Sequence, residues 1–324
     1  MRGIFVISLD FELMWGVKDC ATTEGYGSTN VSQVPQVIDR LLNTFEKYHI
    51  HATFGTVGLI MLNNSNEAID YIPSKIPSYI NHNLSPYADN YLNNIKDSEM
   101  SLFFAPGIID KLKINDNVEI GSHTFGHYYC NAEGQTIDQF AADIERAVEV
   151  ASNRNIKLQS IIFPRNNVQN EYLDVCKKFG ITIYRGNAKK FFAQTNNAIH
   201  SILQRICRLI DAYINIGGST SFTYDEIKCN NGMINIPASR MLRPYSSRLA
   251  FLERLRLRRI KKELSHAARK GKLYHIWWHP HNFGANIDKN FEFLEKILNH
   301  FDKCRKEHGM CSFSMKEAAD FLMK

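Results

Sequence analysis

Strand-like and helix-like segments alternate along almost the whole chain, and this alternation restricts the fold more than any other feature. Strand-like runs that end at polar or turn residues cover 3–10, 50–58, 117–122, 158–164, 181–186 and 271–280. Amphipathic helical patterns lie between them, and a long one over 286–308 precedes a short last strand and helix. This alternation predicts parallel strands covered by helices. About seven or eight such units in 324 residues favour a barrel over an open sheet.

Two stretches interrupt the alternation. Residues 59–116 are rich in Asn, Ser and Pro and hold only weak helical patterns. Residues 187–270 contain a helical pattern at 197–214, a hairpin-like piece around "GMINIP" and a strongly basic helix. We interpret both stretches as insertions on the rim of one barrel domain that spans residues 1–324.

The positive charge is concentrated in one segment. The chain carries a net charge of +6, whereas residues 248–272 hold ten Lys or Arg against two Glu, which is +8 and leaves −2 for the remainder. The basic helix at 248–270 could lie on an anionic membrane surface, bind phosphate or an acidic glycan, or be a solvated face whose apolar stripe packs on the barrel. Nucleic acid is not expected as a partner, because the charge is local and no nucleic-acid-binding motif accompanies it.

The apolar runs and cysteines indicate the compartment. No apolar run approaches the roughly 20 residues of a membrane-spanning helix. The start, "MRGIFVISLDFELMWG", places acidic residues too early for a signal peptide, so we expect a buried strand and a cytoplasmic protein. The seven cysteines are scattered without a C-x-x-C pair, which argues against a disulfide framework or a thiolate zinc site.

Two histidines, His123 and His127, follow the strand-like run "NVEIGS" at an i, i+4 spacing. On a helical turn this spacing places both imidazoles on one side, where they can share a divalent cation. Such pairs also arise by chance, but these two follow a strand, at the edge where barrel enzymes place their sites. The pair is therefore a candidate metal site that needs a carboxylate partner.

Two acidic residues, Asp10 and Glu12, close the first strand-like run in "ISLDFELMWG". Because they are two positions apart, they point to the same face of an extended strand. Buried carboxylates without partners cost several kcal/mol, and a shared cation removes that penalty. The alternative is a helix-capping aspartate beside a solvated glutamate.

The segments "SLDFE", "ATFGTVG" and "EIGSHTFGH" together resemble the first two motifs and the intervening strand of the polysaccharide deacetylases, carbohydrate esterase family 4. The resemblance implies a distorted (β/α)7 barrel that removes N- or O-acetyl groups from sugars with a divalent cation. It implies that Asp10 is the catalytic base and that Glu12, His123 and His127 bind the metal. Most members have two adjacent aspartates where this chain has Asp-Phe-Glu, a form similar to a divergent branch with exopolysaccharide and peptidoglycan deacetylases and allantoinase-like amidases.

Two further motifs of the family are matched more loosely. The segment "IIFPRNN" resembles the third motif with Pro and Arg in reversed order, which implies that Arg165 and Asn166 bind substrate. Arg165 could instead pair with a barrel carboxylate. The segment "YHIWWHPH" resembles the last motif, which implies His279 as the general acid. His281 is the competing candidate for that role and is otherwise assigned as a substrate-binding residue.

Three other residues of the segment "YHIWWHPH" need an interpretation. His275 lies within the strand and is expected in the core. Trp277 and Trp278 alternate, so one faces the barrel interior and the other the helices. We assign Trp278 as a substrate-binding residue, with core packing as the alternative.

The resemblance also implies the substrate and the cofactor. The segments "ASRMLRP" and "FPRNN" are similar to deacetylase-like proteins of surface-polysaccharide and O-antigen biosynthesis, whose acetylated sugar is carried on a nucleotide or a lipid. The cofactor expected is Zn²⁺, with Co, Ni, Mn or Fe as alternatives. Two rival functions stay open, a non-catalytic barrel that binds a glycan or partner, and an amidase acting on a small cyclic amide.

Overall fold

The computed structural model describes residues 1–189, 202–227, 229–230 and 232–324. Its strands are β1 Ile4–Phe11, β2 Ala52–Thr56, β3 Val118–Ser122, β4 Ser160–Ile161, β5 Ile183–Tyr184, β6 Cys229–Asn230, β7 Met233–Asn235, β8 Arg240–Met241, β9 Leu273–Trp278 and β10 Cys311–Phe313. Its α-helices are α1 Val34–Tyr48, α2 Ser65–Asp70, α3 Pro106–Lys113, α4 Ile137–Asn153, α5 Asn170–Lys178, α6 Ile202–Tyr213, α7 Glu253–Lys270, α8 Ile287–His308 and α9 Met315–Leu322. Among the described helices, none combines the length and the apolar composition needed to cross a bilayer.

The strands form a curled parallel sheet that closes into a distorted (β/α)7 barrel. The order along the sheet is β6-β7-β5-β4-β3-β2-β1-β9-β8, and among the strand pairs of the described residues only the short β6–β7 hairpin is antiparallel. An isolated antiparallel bridge also joins Phe222 to Leu273. The segment 233–241 pairs with β5 through β7 and with β9 through β8, so it lies between those two strands. In the described part of the chain, the barrel wall thus has seven strand positions, which are β1 to β5, the segment 233–241 and β9. The predicted fold class is confirmed.

The side chains of β1 alternate between two apolar environments, and this alternation positions the site. All eight residues of β1 are buried, as expected for a parallel strand that is covered on both faces. Phe5 and Leu9 pack outward in the cluster under the helices, whereas Ile4 and Val6 face the barrel interior. Asp10 also faces the interior, at the carboxyl end of the strand. The barrel interior is therefore apolar towards the amino ends of the strands and polar at their carboxyl ends.

The predicted helices are present with small differences at their ends. Helix α4 begins with a capping box, in which the hydroxyl of Thr136 accepts from the backbone of Gln139 while the Gln139 side chain accepts from the backbone of Thr136. Gly180 adopts a positive φ of 81° just after α5, which ends that helix. The predicted helix at 197–214 corresponds to α6, and residues 197–201 lie outside the described residues.

The first rim stretch, 59–116, holds the short helices α2 and α3 and several 3₁₀ turns. The second stretch contains α6, the β6–β7 hairpin, β8 and α7. The hairpin agrees with the prediction from "GMINIP", and β8 was not anticipated because a two-residue strand leaves no periodic signal.

Candidate active site

Glu12, His123 and His127 meet at the carboxyl edge of the barrel. Glu12 directly follows β1 and His123 directly follows β3, and these two strands flank β2 in the sheet. The Oε2 atom of Glu12 lies 3.3 Å from Nε2 of His123 and 3.1 Å from Nε2 of His127. All three side chains are almost fully buried. The residues predicted as metal ligands from the sequence are therefore brought together.

The two histidines are not on a helical turn, so this part of the sequence interpretation is wrong. Residues 123–127 form a loop in which Thr124 and His127 adopt left-handed backbone angles, with φ of 66° and 56°. Such angles cost about 1–3 kcal/mol each outside glycine and persist only where surrounding contacts impose them. The loop rather than a helix places the two imidazole centroids 5.1 Å apart.

The side chain of Asp143, on α4, holds the loop 123–127 in place. Its buried carboxylate accepts hydrogen bonds from the backbone N–H of Phe125 at 2.6 Å and of Gly126 at 2.9 Å. Burial raises the pKa of Asp143 to about 7, against the opposing effect of these two donors. Sequence analysis missed Asp143, which is an acidic residue at a core position of an amphipathic helix.

The donor set of Glu12, His123 and His127 fits a divalent cation. Nδ1 of His123 donates to the carbonyl oxygen of Ile162 at 2.8 Å, which leaves Nε2 as an unprotonated ligand atom facing Glu12. Ligand atoms about 2.0–2.1 Å from a tetrahedral Zn²⁺ lie roughly 3.3–3.4 Å apart, close to the distances found here. The pKa of His127 is lowered chiefly by burial, which favours its neutral, metal-binding form. The three side chains therefore satisfy the size and the chemistry of a metal site.

Glu12 stands between two pairs of imidazoles. Its other oxygen, Oε1, lies 3.5 Å from Nε2 of His279 and 3.9 Å from Nε2 of His281. Burial alone would raise the pKa of Glu12, but the imidazoles of His279, His123 and His127 hold it well below its ordinary value. Glu12 is thus a carboxylate, as a metal ligand must be.

Asp10 is held by an arginine that sequence analysis did not single out. Arg185, directly after β5, is fully buried and donates to both carboxylate oxygens of Asp10, at 2.5 and 2.8 Å. Burial would raise the pKa of Asp10, but the guanidinium outweighs it and the pKa lies below its ordinary value. The available signal was a cation at a strand end in "ITIYRG".

Asn166 and Arg165 follow β4 and have different surroundings. The side-chain oxygen of Asn166 accepts from Arg185 at 2.7 Å, so it helps to hold the arginine that holds Asp10. Arg165 points away, forms an ion pair with Asp19 at 2.5 Å and covers the ring of Tyr129. Its partner is therefore a carboxylate, on the loop that follows β1 rather than in a barrel strand.

His279 and His281 follow β9 and have stacked rings with centroids 5.1 Å apart. His279 is partly exposed, and its Nε2 lies 3.8 Å from Oδ2 of Asp10. His281 is buried, and burial together with neighbouring His279 lowers its pKa to about 3. The Asn282 amide nitrogen lies 3.1 Å from Nδ1 of His279, and this contact orients the ring with Nε2 towards the carboxylates of Asp10 and Glu12. His279 is thus better placed than His281 to donate a proton.

The alternation along β9 corrects the assignment of Trp278. Trp278 is fully buried and stacks on Phe283 among the helices, so it cannot contact a sugar. Trp277 faces the interior, where the Arg185 guanidinium lies 4.3 Å from its ring and His279 lies at its edge. His275 is fully buried, as expected, and desolvation lowers its pKa to about 3. The tryptophan that borders the site is therefore Trp277.

The barrel and its cluster of carboxylates and imidazoles define a deacetylase-like (β/α)7 protein. Residues 24–184, about half of the chain, match the profile of the polysaccharide deacetylases. The chain belongs to the polysaccharide deacetylase family. The matched range includes His123 and His127, whereas Asp10, Glu12 and His279 lie outside it. A search of curated proteins finds no match.

Solved structures share the fold at low sequence identity. A protein from Mycobacterium smegmatis named as a polysaccharide deacetylase is 12% identical with a TM-score of 0.58, over 99% of this chain and 90% of the other. A GH57-type branching enzyme from Pyrococcus horikoshii is 12% identical with a TM-score of 0.52, over 99% and 70%. A 4-alpha-glucanotransferase from Thermococcus litoralis is 11% identical with a TM-score of 0.51, and this chain covers 40% of it. At such identities the likeness shows a shared fold.

Proposed function

We propose that the protein is a metal-dependent hydrolase that removes an N-acetyl or O-acetyl group from a sugar during surface-polysaccharide biosynthesis. One observation carries the proposal. The Glu12 carboxylate lies 3.1–3.3 Å from two imidazoles, beside a second carboxylate that is tied to Arg185 instead. Two neighbouring carboxylates with different partners can take different roles. Membership of the polysaccharide deacetylase family supports the same chemistry.

Glu12, His123 and His127 hold the cation in this proposal. When bound, a divalent cation supplies a Lewis acid for the acyl oxygen and lowers the pKa of a bound water. Zn²⁺ suits a set of two imidazoles and one carboxylate, and Co, Ni, Mn or Fe are alternatives.

Asp10 and His279 transfer protons in this proposal. Asp10 is ionised and accepts the proton of the attacking water, while Arg185 fixes the direction of its carboxylate. His279, as the protonated imidazolium, donates a proton from Nε2 to the leaving nitrogen or oxygen of the sugar and becomes the neutral imidazole. Its Nε2 lies 3.8 Å from Asp10, so the acid and the base border the same small space. The bond to Asn282 keeps the imidazole in this orientation.

The proposed substrate contacts lie on the rim of the barrel, at the same carboxyl edge of the strands. Trp277 offers the partly exposed ring beside His279 on which a sugar can stack, in place of Trp278. Arg165 is partly exposed and remains our candidate for an anionic group on the substrate, with Asn166 behind it. We propose an acetylated sugar carried on a nucleotide or a lipid, and a single cytoplasmic barrel domain in peripheral contact with the membrane through the basic helix α7.

The test is acetate release from nucleotide-linked and lipid-linked N-acetyl sugars, and from O-acetylated ones. Asp10→Asn should lower kcat about 10²–10⁴-fold, which is the range for removal of a general base. Asp39→Asn, an exposed carboxylate on α1, is the matched control and should retain full activity. Undiminished turnover in Asp10→Asn would refute the assigned base. Release of acetate from no sugar by the metal-loaded protein would favour a binding barrel, and hydrolysis of small cyclic amides alone would favour the amidase.

A further inference from the structure

Helix α6 contacts the barrel through an ion pair, whereas its apolar side chains face solvent. Its outward stripe consists of Ile206, Leu209 and Ile210, and Ile214 directly after the helix continues it; these four side chains are 38–58% exposed. Its inward side carries the buried Asp211, whose carboxylate accepts from Arg240 at 3.1 Å. A helix packed on a core normally has the opposite polarity. The apolar stripe of α6 is therefore not used by the barrel.

The neighbouring helix α7 extends this apolar surface. Phe251, just before α7, is 77% exposed, and Leu255 on its first turn is 42% exposed. Helices α6 and α7 pack side by side. The α6–α7 face, as defined here, comprises Ile206, Leu209, Ile210, Ile214, Phe251 and Leu255.

Three exposed cations border this face. Arg254, Arg258 and Lys262 are exposed and follow one another at i, i+4 spacing, so they lie along one side of α7 beside Leu255. None of the three has a carboxylate within ion-pair distance in the part of the chain that the structure describes. The buried cations of the same helix differ, because Arg256 pairs with Glu253 and Arg259 with Glu263. The unpaired positive charge thus faces solvent.

An open groove along α7, lined also by the end of α6 and by His300 of α8, continues the basic side. Its volume is about 520 Å³, and its lining includes Tyr213, Leu255, Arg258, Lys261 and Lys262. A groove with four cations, of which Arg259 is the fourth, together with a phenol and an aliphatic side chain suits a phosphate group attached to an apolar chain.

We propose that the α6–α7 face docks on an anionic lipid bilayer. Apolar side chains flanked by unpaired Lys and Arg are the combination that binds the headgroup boundary of such a membrane. A second copy of the chain fits less well, because a two-fold contact would bring Arg254, Arg258 and Lys262 of both copies into one interface, where like charges repel. This docking assigns the peripheral membrane contact that we proposed for α7 to a defined surface. It does not depend on the hydrolytic chemistry.

The topology places the docking face at the end of the barrel that carries the candidate active site. The chain leaves β8 at its carboxyl end and enters β9 at its amino end, and these two strands are parallel. Helix α7 therefore begins at the carboxyl edge, where His279 lies, and Arg256 on its first turn donates to the carbonyl oxygen of Arg243 just after β8. A bilayer on this face meets the edge at which a lipid-carried sugar would enter.

The test is cosedimentation of the full chain with vesicles. Vesicles of equal parts phosphatidylcholine and phosphatidylglycerol should bind the protein, vesicles of phosphatidylcholine alone should not, and added salt should release it. Each surface cation contributes about a fivefold gain in binding, so replacement of Arg254, Arg258 and Lys262 by Gln should weaken binding about a hundredfold. A matched control replaces Lys113, Lys157 and Lys178, which are exposed lysines away from α7, and should bind like the wild type.

Two further measurements separate the outcomes. Phe251→Ser with Ile210→Ser should weaken vesicle binding without any change in charge, and circular dichroism shows whether each variant is folded. Equal binding to both vesicle types, equal loss in the control triple variant, or no binding at all would overturn the proposal. A dimer in solution that dissociates in Phe251→Ser would assign the face to a second copy. Acetate release from a soluble substrate should stay unchanged in the cation variant, so a failure here is distinguishable from a failure of the proposed hydrolysis.

Discussion

Gly16 offers the sharpest perturbation of the candidate metal site, because the three atoms that an added methyl group would meet first all belong to the Glu12 carboxylate. A Cβ atom at Gly16 would fall on the carboxylate of Glu12, far inside the 3.4–4 Å of ordinary van der Waals contact. The carboxylate must retreat by roughly 1–1.5 Å, since carbon atoms attract best at about 3.5–4.0 Å. Metal ligands tolerate displacements of only about 0.2 Å. We therefore expect Gly16→Ala to remove Glu12 from the ligand set.

The size of the effect follows from the position of Glu12. Loss of groups that merely orient a ligand lowers metal affinity about 10–100-fold, so loss of one of three ligands should lower it at least about a hundredfold. The fold should be nearly unaffected, because the displaced atoms are the flexible end of a side chain. Competition with a fluorescent zinc chelator measures the affinity, and thermal unfolding in excess chelator measures the apo-protein.

The matched control is Gly107→Ala on α3, where a Cβ atom would have no neighbour within 4 Å. This variant should keep the wild-type metal affinity and gain slightly in stability, since alanine is the better helix former. Wild-type metal affinity in Gly16→Ala would refute the assignment of Glu12 as a ligand. Equal loss of affinity in both variants would show that the assay reports the fold rather than the site.

Three further predictions concern groups around the site. Arg185→Gln leaves the buried carboxylate of Asp10 without its cation, so it should lower the free energy of unfolding by about 3–5 kcal/mol in urea titrations. An unchanged free energy of unfolding would contradict the pairing. The pKa of Asp143 is raised from 3.8 to about 7, so the folded state ionises later than the unfolded chain. The apo-protein should therefore lose about 4 kcal/mol of stability from this group as the pH rises from about 4 to about 7, and Asp143→Asn should remove that loss. Trp278→Ala should destabilise the fold by about 3–5 kcal/mol, whereas Trp277→Ala should mainly raise KM, and the reverse pattern would contradict their orientations.

Strand periodicity made much of the fold and the site predictable. The alternation of strand-like and helix-like segments indicated the barrel, and the residues that end the strands led to Asp10, Glu12 and His123. Those side chains share one edge because parallel strands end together. The same two-residue period along β9, followed from Leu273, would have placed Trp277 inside and Trp278 outside.

Other features depend on contacts between residues that are distant in the sequence. Arg185 reaches Asp10 across the barrel interior, and no local pattern couples the two positions. The left-handed angles of Thr124 and His127 are imposed by the loop, whose backbone is held by Asp143 eighteen and seventeen residues after Phe125 and Gly126. An i, i+4 spacing cannot distinguish such a loop from a helical turn.

The bound metal itself tests the central claim most directly. Elemental analysis and zinc titration of the wild type should find a single divalent cation per chain, and Glu12→Gln, His123→Ala and His127→Ala should each lose it while remaining folded. His82→Ala, an exposed histidine on the rim, should retain it. A wild type that binds no divalent cation, or ligand variants that hold it as firmly as the wild type, would contradict the account.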